Sequence, residues 1–504
     1  MELKVLVAVA LLLAGCTEKG DRVMQERYPA DGPGAAVAVI RDGNVLYSGT
    51  FGLANLEHHV PVSAETVFDG ASIAKQFTAF AILTLAHEGH LKLDDAIDPY
   101  VSEFLPIARN QGITIRHLLN HTSGIRDYVW ATTTAGRRFD DVHTSAHVER
   151  FLRSQNSLSH DPGIEWVYNN TGYFILGKIV AQKAEKSLAA FLAEIIFKPF
   201  GMTQTFLLED PTQIIMHRAE SYGPANGPAN DFCYRLVPGA KLGKCIDSTA
   251  LPGPASLMTT LPDMTKWLLQ INRGLSVGDQ RFMQLFAIST SGARPTVTDC
   301  GPDGSAKAAY AAGMYIDEIG GVALACHGGT WRAFRALVLF VPQYKLSTVI
   351  LSNRGNELPF LRDTAFALIN LYEPALNLKV QPSSRPPRPQ CEGAETADLL
   401  GTYYSAELQM ALAFQLDNAG HFVATSPQRG SSARLCHDAK DSFKNADDTF
   451  RSLASVGAAD DDAFNSASFW LTRAKFARND KGKVTAVEIS PLTAAENLVF
   501  TKLP

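Results

Sequence analysis

Residues 35–52 hold an apolar run, an Asp42-Gly43 turn and a second run of strand character, which predicts a β-hairpin. At Ser72 the period changes. Phe77, Phe80, Ala81 and Thr84 recur at three- and four-residue spacing, so residues 72–88 are predicted to be helical, with Gly89 as the C-terminal stop. Apolar residues surround this helix on nearly every side, and it is expected to be buried. Residues 91 to about 274 read as mostly helix and loop. Strand character returns at 322–327, 333–341 and 346–352, with Pro342-Gln343 turning between the last two, and 359–372 reads as a closing helix. A strand pair, helices, a strand trio and a final helix predict an α+β fold: an antiparallel sheet built from both ends of the domain, flanked by helices, with an all-helical insert.

Pro382, Pro386, Pro387 and Pro389 crowd one short stretch and can continue neither a helix nor a central strand. They place a linker at 379–390, closing a domain that spans 25–378. Beyond it, alternation at 410–416, 421–425, 469–476 and 484–489, punctuated by Asp417-Asn418-Ala419-Gly420 and Asp480-Lys481-Gly482, predicts a small antiparallel β domain over 391–504. At the other end, Lys4 precedes an apolar run over 5–13 that is too short to span a bilayer. That run ends in Leu13-Ala14-Gly15-Cys16, which resembles the lipobox of bacterial lipoproteins. The resemblance implies a signal segment over 1–16, lipidation of Cys16, a tether over 17–24 and a periplasmic, membrane-anchored protein.

Composition narrows the function classes. Lys plus Arg total 46 against 51 Asp plus Glu, which gives no electrostatic reason to expect a nucleic-acid partner. Besides Cys16 there are Cys233, Cys245, Cys300, Cys326, Cys391 and Cys436, an even set suited to disulfides in an oxidising compartment. Proximity favours Cys233 with Cys245 and Cys391 with Cys436. None of these has the spacing of a zinc site. His117 and His121 are four apart, but Leu118 stands where a zinc-binding helix of the H-E-x-x-H type carries Glu, and no metal is expected.

Ser72 begins the buried helix, where free N–H groups and the helix dipole favour the negative charge of an attacked carbonyl. Lys75, three residues on, lies on the same face and can bring its amine to the Ser72 hydroxyl. An amine in a desolvated cleft loses proton affinity and in its neutral form can take the serine proton. By itself the S-x-x-K spacing is common, and an N-capping serine beside a surface lysine fits it equally well. Context decides, because a lysine in an apolar helix is costly without a role. Ala74 stands at the last position of a G-x-S-x-G elbow, which argues against an α/β-hydrolase.

Phe68-Asp69-Gly70-Ala71-Ser72-Ile73-Ala74-Lys75, His117-Leu118-Leu119-Asn120-His121-Thr122-Ser123-Gly124, Tyr168-Asn169-Asn170 and His327-Gly328-Gly329 occur in that order. Over residues 35–372 the chain therefore resembles the β-lactamase and penicillin-binding-protein superfamily of serine hydrolases, in its class C-like esterase and D-peptidase branch. The resemblance implies that Tyr168 shares proton transfer with Lys75 and that Asn170 donates its amide to a substrate carbonyl and holds Lys75. It also implies that the N–H of Thr330, with that of Ser72, forms an oxyanion hole beside Gly328 and Gly329. His327 replaces the lysine of many penicillin-recognising members and is read as a substrate-facing residue, with a structural histidine as the other reading; Arg332 or Arg335 could supply the missing positive charge. The expected function is a serine hydrolase acting through an acyl-enzyme on a small ester, amide or peptide, as an esterase or D-amino-acid peptidase or amidase. It needs no cofactor. The alternatives are a β-lactamase or D-Ala-D-Ala carboxypeptidase, and a non-catalytic cell-envelope protein that binds β-lactams.

Overall fold

The computed structural model describes residues 16–135, 141–224, 233–235, 242–245, 247, 249–287, 294–295, 298–301, 305, 307–355, 358–379, 396–408, 410–417, 422–426, 431–439, 442–445, 473–490 and 498–503. The apolar segment before Cys16, most of the proline-rich linker, and Cys391 with its pairing to Cys436 lie outside these residues.

The predicted hairpin forms as β1 (Ala35–Arg41) and β2 (Asn44–Phe51), and the helix after Ser72 as α1 (Ala74–His87). Helices α2 (Asn170–Ala184) and α3 (Leu261–Val277) lie in the middle segment. Strands β3 (Ala309–Ala311), β4 (Met314–Ile319), β5 (Val322–Trp331), β6 (Phe334–Val341) and β7 (Leu346–Ser352) follow, and helix α4 (Leu358–Tyr372) closes the domain. The sheet order is β3-β4-β5-β6-β7-β1-β2 and every pairing is antiparallel. β1 sits between β7 and β2, with Ala35 opposite Ser352, so the sheet is indeed assembled from both ends of the domain.

Both faces of this sheet are covered. On β1, Ala36, Ala38 and Ile40 join the core beneath the helical region, while Ala35, Val37 and Val39 join a second core under α4. That explains why β1 is apolar throughout Ala35 to Ile40: a strand buried on both sides has no polar alternation to show. The second core also holds Met24 and Tyr28. They belong to a helix and its exit over residues 16–28, and the Tyr47 hydroxyl donates to Asp21 Oδ1 at 2.8 Å. The segment expected to be a tether is thus packed structure, because Met24 and Tyr28, four apart, bury one helical face against the sheet.

The middle segment is less purely helical than its periodicity suggests. Short strand pairs and triplets interrupt it, including Ser221–Pro224 with Leu242–Cys245 and Cys233–Arg235, where Cys233 and Cys245 are disulfide-bonded. A second disulfide joins Cys300 to Cys326 on β5. The C-terminal β region is a closed antiparallel barrel of eight strands, in which Gly401–Ser405 pairs with both Met410–Leu416 and Leu498–Lys502. Closure removes the free edges that an open small sheet would expose. Tyr403, Phe414, Phe476 and Phe500 fill its interior.

Candidate active site

Ser72 lies in a single 3-10 turn, Ala71–Ile73, that runs directly into α1. Ala71 has φ of 48°, a left-handed conformation that an alanine adopts only under constraint. The constraint is visible: Asp69 Oδ1 accepts the Ala71 N–H at 2.7 Å, and the Leu257 carbonyl accepts the Gly70 N–H at 2.7 Å. This turn abuts β5. Pairing of β5 with β4 ends at Cys326, opposite Tyr315, and beyond it that edge of β5 faces the Ser72 turn.

Lys75, the second residue of α1, is fully buried. Its Nζ lies 3.1 Å from Ser72 Oγ, 2.9 Å from Asn170 Oδ1 and 2.9 Å from the Pro254 carbonyl. Burial pulls its pKa from the usual lysine range down to about 7, against the opposing influence of the Asp127 and Asp299 charges. Two of the three partners are pure acceptors and the third is a hydroxyl. A neutral amine has two N–H donors and one lone pair, so donation to Asn170 and Pro254 leaves the lone pair facing Ser72.

The Tyr168 hydroxyl donates to Ser72 Oγ at 2.9 Å. Burial holds this phenol well above its ordinary pKa, with the Asp299 and Asp127 charges adding in the same direction, so it keeps its proton near neutral pH. Tyr168 is held from behind by the His117–Gly124 stretch: the His121 carbonyl accepts the Val167 N–H at 2.9 Å, and His121 Nδ1 accepts the Asn169 N–H at 3.1 Å. Helical continuity does not reach His121, because the helix carrying His117 spans only Ile115–Leu119 and His121 itself has φ of 59°. The two histidines therefore do not share a helical face, and His117 Nδ1 instead accepts the Thr114 N–H in an N-terminal capping box.

Asn170 heads α2, with Asn169 as its N-cap accepting the Gly172 N–H at 2.7 Å. The fully buried Asp127 accepts the Asn170 N–H at 2.5 Å, and its other oxygen accepts from Val129 and Trp130. Backbone donors of this kind stabilise a carboxylate, although burial is the larger influence and raises the Asp127 pKa.

On β5, Gly329 passes so close to the Ser72 turn that a Cβ there would lie 2.3 Å from the Gly70 carbonyl oxygen. The Gly328 N–H donates to Asp299 Oδ2 at 2.7 Å and so points to the open edge, away from β6. Backbone N–H groups alternate along a strand, so Thr330, two residues on, directs its N–H to the same edge, toward Ser72. Asp299 is brought here by its neighbour Cys300, disulfide-bonded to Cys326.

His327 is 1% exposed. Its Nδ1 lies 2.7 Å from the Gly328 carbonyl, which can only accept, so Nδ1 carries the hydrogen and Nε2 accepts from the Tyr310 hydroxyl at 3.0 Å. Burial and the Lys75 charge lower its pKa to about 3. With both nitrogens engaged and Tyr168, Tyr310 and Tyr315 around it, this ring sits in the wall behind the site, the structural placement, and offers no charge to a substrate. Arg332 and Arg335 do not supply one either. Arg332 turns to Thr249 and Asp247, and Arg335 donates to the carbonyls of Arg332 and Phe334.

The structure thus brings together Ser72, Lys75, Tyr168, Asn170 and the Gly328–Thr330 edge. Asp127, Asp299, Pro254 and Tyr310 were not legible as site residues, since none stands in a fixed spacing from Ser72. A serine hydroxyl held between a buried amine and a phenol on the open edge of an antiparallel sheet defines a serine hydrolase of the penicillin-recognising superfamily. Residues 21–372 match the model of the Beta-lactamase family, and the chain belongs to that family.

Relatives agree with that assignment. A D-aminopeptidase of Brucella anthropi is 28% identical over 351 residues, covering 69% of this chain and 61% of the relative. The chain therefore spans about three-fifths of that relative's length. Among solved structures, the octameric penicillin-binding protein homologue from Pyrococcus abyssi superposes with a TM-score of 0.56 at 20% identity, covering 100% of both chains. The D-amino acid amidase from Ochrobactrum anthropi SV3 superposes with a TM-score of 0.59 at 19% identity, covering 72% of this chain and 99% of its own. At those identities the likeness is one of fold.

Proposed function

We propose that the protein hydrolyses amides or esters of D-amino acids through an acyl-enzyme on Ser72. The observation that carries this reading is the set of three contacts at Lys75 Nζ, which leaves the amine lone pair on Ser72 Oγ. In this scheme Lys75 takes the serine proton as Ser72 Oγ attacks the substrate carbonyl, and the developing oxyanion is held by the N–H groups of Ser72 and Thr330. Tyr168, still protonated, passes its hydrogen to the departing nitrogen or oxygen and takes a proton back from the Lys75 ammonium, which returns the amine to its neutral form, while Asn170 offers its amide N–H₂ to the acyl chain. Water then cleaves the acyl-enzyme.

The names of the relatives, D-aminopeptidase and D-amino acid amidase, support this substrate class. The electrostatics of the β5 edge support it over a carboxypeptidase or β-lactamase: a neutral His327 and the Asp299 carboxylate are a poor seat for a substrate carboxylate, and suit an amide or ester leaving group. A panel of D-aminoacyl amides, short-chain aryl esters, D-Ala-D-Ala peptides and a chromogenic cephalosporin tests the ranking. Turnover of amides or esters with a Ser72-dependent fluorophosphonate adduct is expected; rapid cephalosporin hydrolysis without amidase or esterase activity sinks the reading.

We also propose that Cys16 carries a lipid anchor in the periplasm. Cys16 lies in the N-terminal helix, with Sγ 3.6 Å from the Leu371 carbonyl, so an acyl chain would hold the domain close to the bilayer. Cys16→Ser should move the protein from the membrane to the soluble periplasmic fraction, and unchanged fractionation counts against the anchor.

A further inference from the structure

We infer that Glu407, on the C-terminal barrel, is a positioning residue for the acyl-transfer centre and acts through Arg126. The inference rests on the reading of Ser72 and Lys75 just given.

Glu407 lies in the turn between barrel strands Gly401–Ser405 and Met410–Leu416. Arg126 Nη1 donates to Glu407 Oε1 at 2.8 Å, and the two side chains are 0% and 4% exposed. This is a fully desolvated ion pair between the barrel and the hydrolase domain. A surface contact between domains would cost little to lose, whereas neutralising Glu407 takes a bonded carboxylate from a buried guanidinium, which the Glu488 charge also influences. Arg126 is further fixed by Ser157, which accepts on its carbonyl and, at 2.9 Å, on its hydroxyl.

The backbone that carries Arg126 is stitched to the residues that receive Lys75. Asn169 Nδ2 donates to the Ile125 carbonyl, Thr171 Oγ1 donates to the Arg126 carbonyl at 2.9 Å, the Asn170 N–H donates to Asp127 Oδ2 at 2.5 Å, and the Tyr128 N–H donates to Thr171 Oγ1 at 2.9 Å. Four successive residues, 125–128, are thereby bonded to the N-cap and first two residues of α2. Asn170, in the middle, accepts from Lys75 Nζ. Glu407 thus grips one side of a segment whose other side aligns the general base. The turn that carries Glu407 joins two paired strands of the closed barrel.

Full-length variants test this. Glu407→Gln keeps the shape and removes the charge, Glu407→Asp keeps the charge but retracts it, and Leu408→Ala damages the packing of the same turn without touching the ion pair. Acylation of Ser72 is followed against pH, with kcat, KM and Tm measured in parallel. Glu407→Gln is expected to lower kcat by about tenfold to a hundredfold with KM little changed, the cost of a small misplacement far from the reacting atoms. Its acylation midpoint should also move, because Lys75 loses alignment with Asn170. Glu407→Asp should fall between wild type and Glu407→Gln, and Leu408→Ala should lower Tm while leaving the midpoint in place. If Glu407→Gln lowers only Tm, or if it fails to fold and Glu407→Asp keeps wild-type kcat and midpoint, Glu407 merely docks the barrel and the inference is overturned. Wild-type protein that forms no Ser72 adduct marks a failure of the proposed function itself, and is thereby distinguished from an adduct that forms equally well in Glu407→Gln.

Discussion

Gly329 and Gly70 touch through their backbones: a single methyl group on Gly329 would stand 2.3 Å from the Gly70 carbonyl oxygen and 3.1 Å from the Ala336 side chain. This contact sets how closely the Ser72 turn approaches β5, and with it the spacing of the proposed nucleophile from the proposed oxyanion donor. Gly329→Ala must push β5 and the Ser72 turn apart. Overpacking of this kind costs about 1–3 kcal/mol in stability, and the larger effect is expected on chemistry. Labelling of Ser72 by a fluorophosphonate should slow by roughly a hundredfold, at a temperature where circular dichroism reports native protein.

The pH dependence follows from Lys75. Its pKa of about 7 makes the amine the group that must lose a proton before acylation, so kcat/KM should rise with pH through about 7. Asp299 and Asp127 both oppose that loss. Replacing Asp299 with Asn removes a charge that favours the ammonium form, so the rising limb should move to lower pH. A limb that stays in place or moves to higher pH contradicts the assignment of Lys75 as base.

Tyr168→Phe separates the two proton-transfer roles. The Ser72–Lys75 contact survives, but nothing then delivers a proton to the departing group. Amide hydrolysis should fall by about 10²–10⁴-fold. Aryl esters, whose phenolate leaves without protonation, should fall much less. Equal losses on both substrate types would place Tyr168 in nucleophile activation instead.

His327 contributes to acid sensitivity. Its folded pKa of about 3 lies below the unfolded value near 6.5, so the unfolded chain binds the extra proton first. Both states are neutral above 6.5, and stability is lost as pH falls from there toward 3. The loss from this one residue is roughly 4–5 kcal/mol over the window. The unfolding free energy of His327→Gln, followed by urea titration, should fall less steeply across that range than that of wild type.

Some of this was legible in the chain and some was not, for identifiable reasons. Ser72 and Lys75 could be paired because three residues on a helix fix their geometry without help from the rest of the fold. The hairpin and the β5–β7 trio declared themselves through long apolar runs with clear turns. Tyr168 and Asn170 came only through family resemblance, because their approach to Lys75 is tertiary. Asp299 had no signal at all; it reaches β5 through a disulfide between Cys300 and Cys326, the two cysteines for which sequence proximity names no partner. His327 could be placed on the right strand, yet its orientation depended on Tyr310, a residue on a three-residue strand too short to show a period.

The position of β1 between β7 and β2 bears on how the protein is made. Because Ala35 pairs with Ser352, the central sheet cannot close until nearly the whole hydrolase domain has emerged from the ribosome. The β5 edge against which Ser72 works is part of that late assembly. A half-synthesised chain therefore carries the serine and the lysine but no reactive centre, and catalytic competence arrives as a property of the finished domain.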